Sequence, residues 1–182
     1  MPDASLVQRA RRGDAAAFEA LVRRYYRAAY SVALARLGTA MDAEDVCQDA
    51  FIRALERIED PDPARFAAWL LQIVRNRAHN YRAYQRIREA KPLDEVSAAG
   101  VENPSRDAER SELRTALEAA LGELSEVQRE VVLLHDMEGW KHREIGDALG
   151  ISEGMSRQHL MMARRALRER LGVRAVEEYG DE

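Results

Sequence analysis

The feature that most constrains the fold lies near the C-terminus, in Trp140-Lys-His-Arg-Glu-Ile-Gly-Asp-Ala-Leu-Gly-Ile-Ser-Glu-Gly-Met-Ser-Arg-Gln-His-Leu-Met-Met-Ala-Arg-Arg-Ala-Leu-Arg168. The spacing predicts two helices joined by a tight turn. Ile145, Ala148 and Leu149 share one face of the first helix. Gly150 stands where a residue tolerant of positive φ is needed, and Ser152 can cap the next helix. Ser156, Leu160, Ala163, Leu167 and Leu171 recur at three- and four-residue spacing and form an inward stripe. Arg157, Gln158, Met161, Arg165 and Arg168 fall opposite. A short helix, a glycine turn and a longer helix with a basic outer face is the helix-turn-helix arrangement that reads a major groove. An ordinary helical hairpin with a solvated cationic face would share the periodicity. The agreement of turn, cap and basic face favours DNA.

The 182 residues suffice for one large domain or two small ones. Ala, Leu, Arg and Glu abound while Gly and Pro are few, which favours an all-α protein. No apolar run approaches the ~18 residues of a membrane span, and the N-terminus lacks the pattern of a signal peptide. The single cysteine, Cys47, excludes an internal disulfide and is expected in the core. These features point to the cytoplasm.

A net charge of −4 looks wrong for a DNA binder, but the charges are segregated. Between Arg65 and Lys91 seven Lys/Arg face one acid, whereas between Met41 and Asp62 eight acids face two arginines. Two oppositely charged surfaces imply two different partners, unless both are simply solvated helix faces.

Taken in order, residues 4–12 predict a short helix ending at Gly13, and Asp14 caps a long helix to about Leu37, where Gly38 stops it. Asp42 is expected to cap a third helix to about Ile58, with Ala43, Val46, Cys47, Ala50, Ala54 and Ile58 inward. Asp45, Gln48, Asp49 and Ile52 lie on another, acidic face, which Glu56 extends. After Pro61 and Pro63 a fourth helix runs from about Ala64 to Ile87. Its second half interleaves arginines with Asn76, Asn80, Tyr81 and Tyr84, suited to phosphates and bases. Tyr81 fits core packing equally well. Residues 91–107 read as a flexible acidic linker. A helix over 108–121 follows, then one opened by Ser125 with Gln128 as a capping box and Val127, Val131, Val132 and Leu134 as its core. The tail, 175–182, is expected to fray. The four histidines are far apart in sequence, and none has metal-ligand spacing with Cys47. No phosphate loop or nucleophile elbow occurs, so neither catalytic nor metal-ligating residues nor a cofactor are expected, and the chain is not read as an enzyme.

Three segments carry a family resemblance: Ala43-Glu-Asp-Val-Cys-Gln-Asp-Ala-Phe-Ile-Arg-Ala-Leu55, Phe66-Ala-Ala-Trp-Leu-Leu-Gln-Ile-Val-Arg-Asn-Arg77, and Leu124-Ser-Glu-Val-Gln-Arg-Glu-Val-Val-Leu-Leu134 with the helix-turn-helix after it. Together they resemble a bacterial sigma factor of the extracytoplasmic-function (ECF) type, in the sigma-70 family. The resemblance implies two small helical domains: a four-helix region 2 over 1–90 and a helix-turn-helix region 4 over 108–174. It also implies a promoter-specificity subunit that binds core RNA polymerase. The face of Asp45, Gln48, Asp49 and Ile52 would bind the β′ clamp helices, and region 4 the β flap. The loop from Asp60 to Phe66 and the helix after it would capture the melted −10 strand, through Phe66, Trp69, Arg75, Asn76, Asn80 and Arg82. Region 4 would read the −35 element through Arg157, Gln158, Met161, Met162 and Arg165, with Lys141 and Arg143 on phosphates. An anti-sigma factor is a further expected partner; insertion into a membrane is not expected.

The sequence departs from the family at Met161 and Met162, where many members carry arginine or another polar or aromatic residue. Methionine offers no bidentate contact to guanine and can lie only against a thymine methyl or a sugar. Two alternatives stay open. A sigma mimic would sequester an anti-sigma factor without touching DNA, a reading the methionines favour and the basic fourth helix opposes. A plain repressor or activator would leave the N-terminal half unexplained.

Overall fold

A computed structural model describes residues 2–89 and 107–172. The linker expected over 91–107, apart from its last residue, and the tail expected over 175–182 lie outside the described residues. Helices α1 (Asp3–Arg11), α2 (Ala15–Leu37), α3 (Ala40–Glu56) and α4 (Phe66–Glu89) form the N-terminal half. Helices α5 (Asp107–Glu123), α6 (Glu126–Val132), α7 (His142–Leu149) and α8 (Glu153–Leu171) form the C-terminal half. No strand occurs among the described residues, so the all-α expectation holds.

Local chemistry sets most boundaries. Asp14 accepts a hydrogen bond from the Ala17 N–H at 3.1 Å and caps α2, while Gly38, at φ +81°, ends it. The cap of α3 differs from the expected Asp42. Thr39 takes that position, accepting from the Asp42 N–H at 3.3 Å and donating its hydroxyl to the Asp42 carboxylate at 2.6 Å. Asp42 therefore lies inside the first turn, where its charge suits the positive end of the helix dipole. Pro63–Arg65 forms a separate 3₁₀ turn before α4, capped by Asp62. The Ser125–Gln128 capping box closes in both directions at 3.3 and 3.0 Å.

The N-terminal core is built on small residues. Ala28, Ala29 and Ala33 of α2, Ala43, Ala50 and Ala54 of α3 and Ala78 of α4 are all buried, so these three helices approach closely. Leu21, Val32, Phe66, Leu70, Leu71 and Val74 fill the remaining space. Cys47 is buried among them, as expected. In the C-terminal half Val131, Leu134, Ile145, Leu149, Leu160 and Ala163 form the counterpart. One element there was not foreseen: α6 widens at its end into a π-helical turn, Leu133–Met137. Gly139, at φ +70°, then turns the chain into α7.

The two halves pack directly on each other. Helices α2 and α4 of the first meet α6, the π turn and α7 of the second. Tyr25 and Trp140 meet edge to face with ring centroids 6.3 Å apart. Ser31 donates to Glu138 at 3.2 Å, Arg27 pairs with Glu138 at 3.1 Å, and Arg129 donates to the Ala35 carbonyl at 2.5 Å. This closed arrangement was not legible in the sequence, because it is fixed by contacts between segments about 100 residues apart.

Candidate nucleic-acid and protein interfaces

The helix-turn-helix is held by a turn with no slack. The Gly150 and Ile151 N–H groups both donate to the Gly146 carbonyl, at 2.9 and 3.1 Å, with Gly150 at φ +71°. Ser152 then caps α8 through the Met155 N–H at 3.1 Å. Behind the turn, His142 and the buried Ser156 hydroxyl are hydrogen-bonded at 3.0 Å, and the His142 ring stacks on His135 at 4.7 Å. Burial, aided by the neighbouring charges of His135 and Arg157, holds the His142 pKa below the usual histidine range.

With Ser156, Leu160 and Ala163 buried, α8 turns Arg157, Gln158, Met161, Met162 and Arg165 outward, and all five are exposed. Arg157 pairs with Glu153 and Arg165 with Glu169 one turn away. Such exposed pairs contribute at most ~1 kcal/mol and exchange readily for a phosphate or a base edge. Lys141 and Arg143, beside the start of α7, are exposed as well. His159, expected on the surface, is half-buried.

On α3, Asp45, Gln48, Asp49 and Ile52 are all exposed, as the periodicity predicts. Ile52 keeps 58% of its surface in water. Met41 and Leu55, 74% and 50% exposed, fall on the same face by helical spacing and were missed. The face is therefore three large apolar side chains set among carboxylates, a composition that favours a protein partner over bare solvent.

The α3–α4 loop is fixed from below. Arg11 donates to the carbonyls of Ile58 and Glu59 at 3.0 Å each, and to that of Pro61. Of the strand-contacting candidates, Trp69 is half-buried and packs on Phe66 with centroids 5.8 Å apart, while Asn76 and Asn80 are exposed. Phe66 itself is a correction. It is fully buried and also packs on Tyr25, so it supports the loop and α4 from within and offers no face to a base. Tyr81 is likewise drawn inward, its hydroxyl donating to Asp42 at 2.6 Å.

Arg75 and Arg82 face the other half of the molecule. Arg75 donates to the Leu149 carbonyl at 3.1 Å and lies 3.4 Å from Glu130, and Arg82 pairs with Glu126 at 2.5 Å. Arg36 bridges the same two acids, at 2.5 Å to Glu130 and 3.0 Å to Glu126. Glu130 is fully buried, and burial pushes its carboxyl pKa up while Arg36 and Arg75 pull against that shift. Neither Glu130 nor Arg36 was singled out from the sequence. A signal existed: Glu130 interrupts the apolar row Val127, Val131, Leu134, a place a charge occupies only with a partner. Among the described residues no three metal-ligating side chains converge, and no helix is long and apolar enough to cross a membrane.

Both halves of the chain match known proteins. The family model of Sigma-70 region 2 matches residues 21–87, and that of Sigma-70 region 4 matches residues 114–167. The ECF RNA polymerase sigma factor SigE of Mycolicibacterium smegmatis is 35% identical over 171 residues, which cover 91% of this chain and 66% of that protein. The RNA polymerase sigma factor NccH of Alcaligenes xylosoxydans xylosoxydans is 31% identical over 172 residues, 91% and 92% of the two chains. Among solved structures, CnrH in complex with the cytosolic domain of CnrY superposes with a TM-score of 0.68 at 29% identity, covering 93% of this chain and 96% of that one. Two matched regions in the family's order, with relatives aligned across nine-tenths of the sequence, mean that the chain belongs to the sigma-70 family of transcription-initiation subunits, as a sigma factor of the ECF type.

Proposed function

We propose that the chain directs RNA polymerase to promoters through three separate surfaces, with region 2 within residues 1–90 and region 4 within residues 108–174. The exposed face of Asp45, Gln48, Asp49 and Ile52 docks on the β′ clamp helices, its carboxylates steering and its apolar residues anchoring the contact. Region 4 docks on the β flap. Arg157, Gln158, Met161, Met162 and Arg165 enter the −35 major groove while Lys141 and Arg143 hold phosphates. Trp69, Asn76 and Asn80, joined by Arg75 and Arg82 once these are released, hold the melted −10 strand. The exposure of all five outward residues on α8, behind a turn that fixes the helix, carries this reading.

The protein is a recruiting subunit with no catalysis of its own and works in the cytoplasm beside the polymerase. An anti-sigma factor is the proposed regulator, a reading supported by CnrH having been solved with the cytosolic domain of a second protein, CnrY. The sigma-mimic alternative draws on the engaged Arg75 and Arg82 and on the two methionines of the reading face.

The test is transcription reconstituted from core polymerase and genomic DNA. Promoter-dependent starts are expected with the parent chain, whereas Asp45→Lys/Asp49→Lys retains its helical content but binds core at least tenfold more weakly. Absence of both core binding and defined start sites with the parent would favour the mimic.

A further inference from the structure

The acids of α6 occupy the arginines that α4 would offer to a DNA strand. Glu130 has no surface in water, and its cationic partners, Arg36 and Arg75, both come from the other half of the molecule. Glu126, one turn earlier, takes Arg82 at 2.5 Å and Arg36 at 3.0 Å. Arg75 is also tied to the Leu149 carbonyl, at the very end of α7 before the helix-turn-helix glycine. Two carboxylates on one helix thus engage the guanidinium groups of Arg75 and Arg82, and the end of α7, just before the glycine turn, is part of the same contact.

We propose that this is an autoinhibitory lock, in which Glu126 and Glu130 act as internal substitutes for DNA phosphates and keep the free chain closed. Arg75 and Arg82 become available to a strand only when α6 withdraws. The proposal rests on the reading of α4 as the strand-binding helix.

The chemistry suits a contact that must break. Burying a carboxylate and two guanidinium groups recovers little net free energy, because their desolvation offsets most of their attraction. Here the network is also incompletely satisfied: Glu130 Oε2 and Arg75 Nε have no hydrogen-bond partner among the described residues. On opening, all of these groups return to water, so a competing set of phosphates and a polymerase surface together can displace the lock. An entirely apolar interface of the same extent would lack this reversibility.

The experiment compares the full chain with Glu126→Gln/Glu130→Gln. Small-angle scattering of the free protein reads closure, and titration of a fluorescein-labelled oligothymidine reads the availability of the arginines. The parent is expected near the radius of gyration of about 16 Å for a compact chain of this length. The double variant is expected to expand and to bind the oligonucleotide about tenfold more tightly, or about 1.4 kcal/mol. Glu19→Gln/Glu123→Gln makes the same change of charge at exposed sites and is expected to do neither. If Glu130→Gln fails to fold, Arg36→Gln opens the lock from the opposite side without touching Arg75 or Arg82. A variant that stays compact, or one that expands without gaining strand affinity beyond the charge control, overturns the lock. Failure of parent and variants alike to bind core polymerase faults the sigma-factor surfaces instead, and the scattering and oligonucleotide comparison still decides the contact.

Discussion

Substituting alanine for Gly146 isolates the turn of the helix-turn-helix from every other feature of region 4. Gly146 is buried in α7 with ordinary helical φ, so alanine should by propensity stabilise the helix by about 1 kcal/mol. Geometry opposes this. A Cβ at Gly146 would sit 2.8 Å from the Ile151 carbonyl oxygen, with the Glu153 nitrogen and the Ser152 carbonyl carbon both at 3.5 Å. All three are backbone atoms, so no rotamer change relieves the contact; α8 must move away. Overpacking of this kind costs ~1–3 kcal/mol, and the movement also strains the two hydrogen bonds that Gly150 and Ile151 donate to the Gly146 carbonyl. The clash outweighs propensity, and a net loss of ~1–2 kcal/mol is expected. For a chain of this size that lowers the melting temperature by about 2–4 °C per kcal/mol. Gly154→Ala is the internal control. It lies in the first turn of α8, and its Cβ would meet only the Ser152 hydroxyl at 3.9 Å, so it should be neutral or stabilising by up to ~1 kcal/mol. Thermal unfolding by circular dichroism and duplex promoter binding would be measured on both. If Gly146→Ala melts at or above the parent and binds DNA equally well, the close approach of α7 and α8 does not govern this site.

Further outcomes are expected elsewhere in the chain. Arg157→Ala should weaken −35-dependent transcription by ~1–3 kcal/mol, the range of a good base contact; unchanged promoter use in the reconstituted assay would remove Arg157 from the reading face. Cys47, buried and with its thiol pKa pushed up to about 12, stays protonated at neutral pH and should react with a thiol reagent only as fast as the protein unfolds. A rate that ignores added denaturant would contradict that burial. Because the folded state lowers the His142 pKa, it binds fewer protons there than the unfolded chain does. Its contribution is therefore full above the ordinary histidine pKa of about 6.5 and declines as pH falls below it. Melting temperatures compared between neutral pH and about pH 5.5 should drop more in the parent than in His142→Gln, and an equal drop would assign the effect to other groups.

The helix-turn-helix could be read before any coordinates because each of its signals is local. Gly150 supplies a positive φ, Ser152 a side-chain oxygen within reach of an N–H three residues on, and the α8 stripe a period set by helix geometry. The outward face of α3 followed from the same periodicity. Where two local signals competed, the sequence misled: Thr39 and Asp42 are both good caps, and Thr39, with an extended backbone at φ −117° and ψ 140°, takes the position. Phe66 failed for a different reason. An aromatic at the start of a helix has the same composition whether it faces a base or a core, and Tyr25 and Trp69 decide for the core.

The sequence by itself determined the helices, most of their caps, the exposed outer face of α8 and the acidic patch, since these depend on residues within a turn or two of one another. Only the tertiary structure decided what Arg75 and Arg82 touch. Their partners, Glu130 and Glu126, lie in the other half of the chain, and the pairing is settled by how α6 packs on α2 and α7 on α4. A buried charge must find its counter-charge, but which one it finds depends on how the two halves meet.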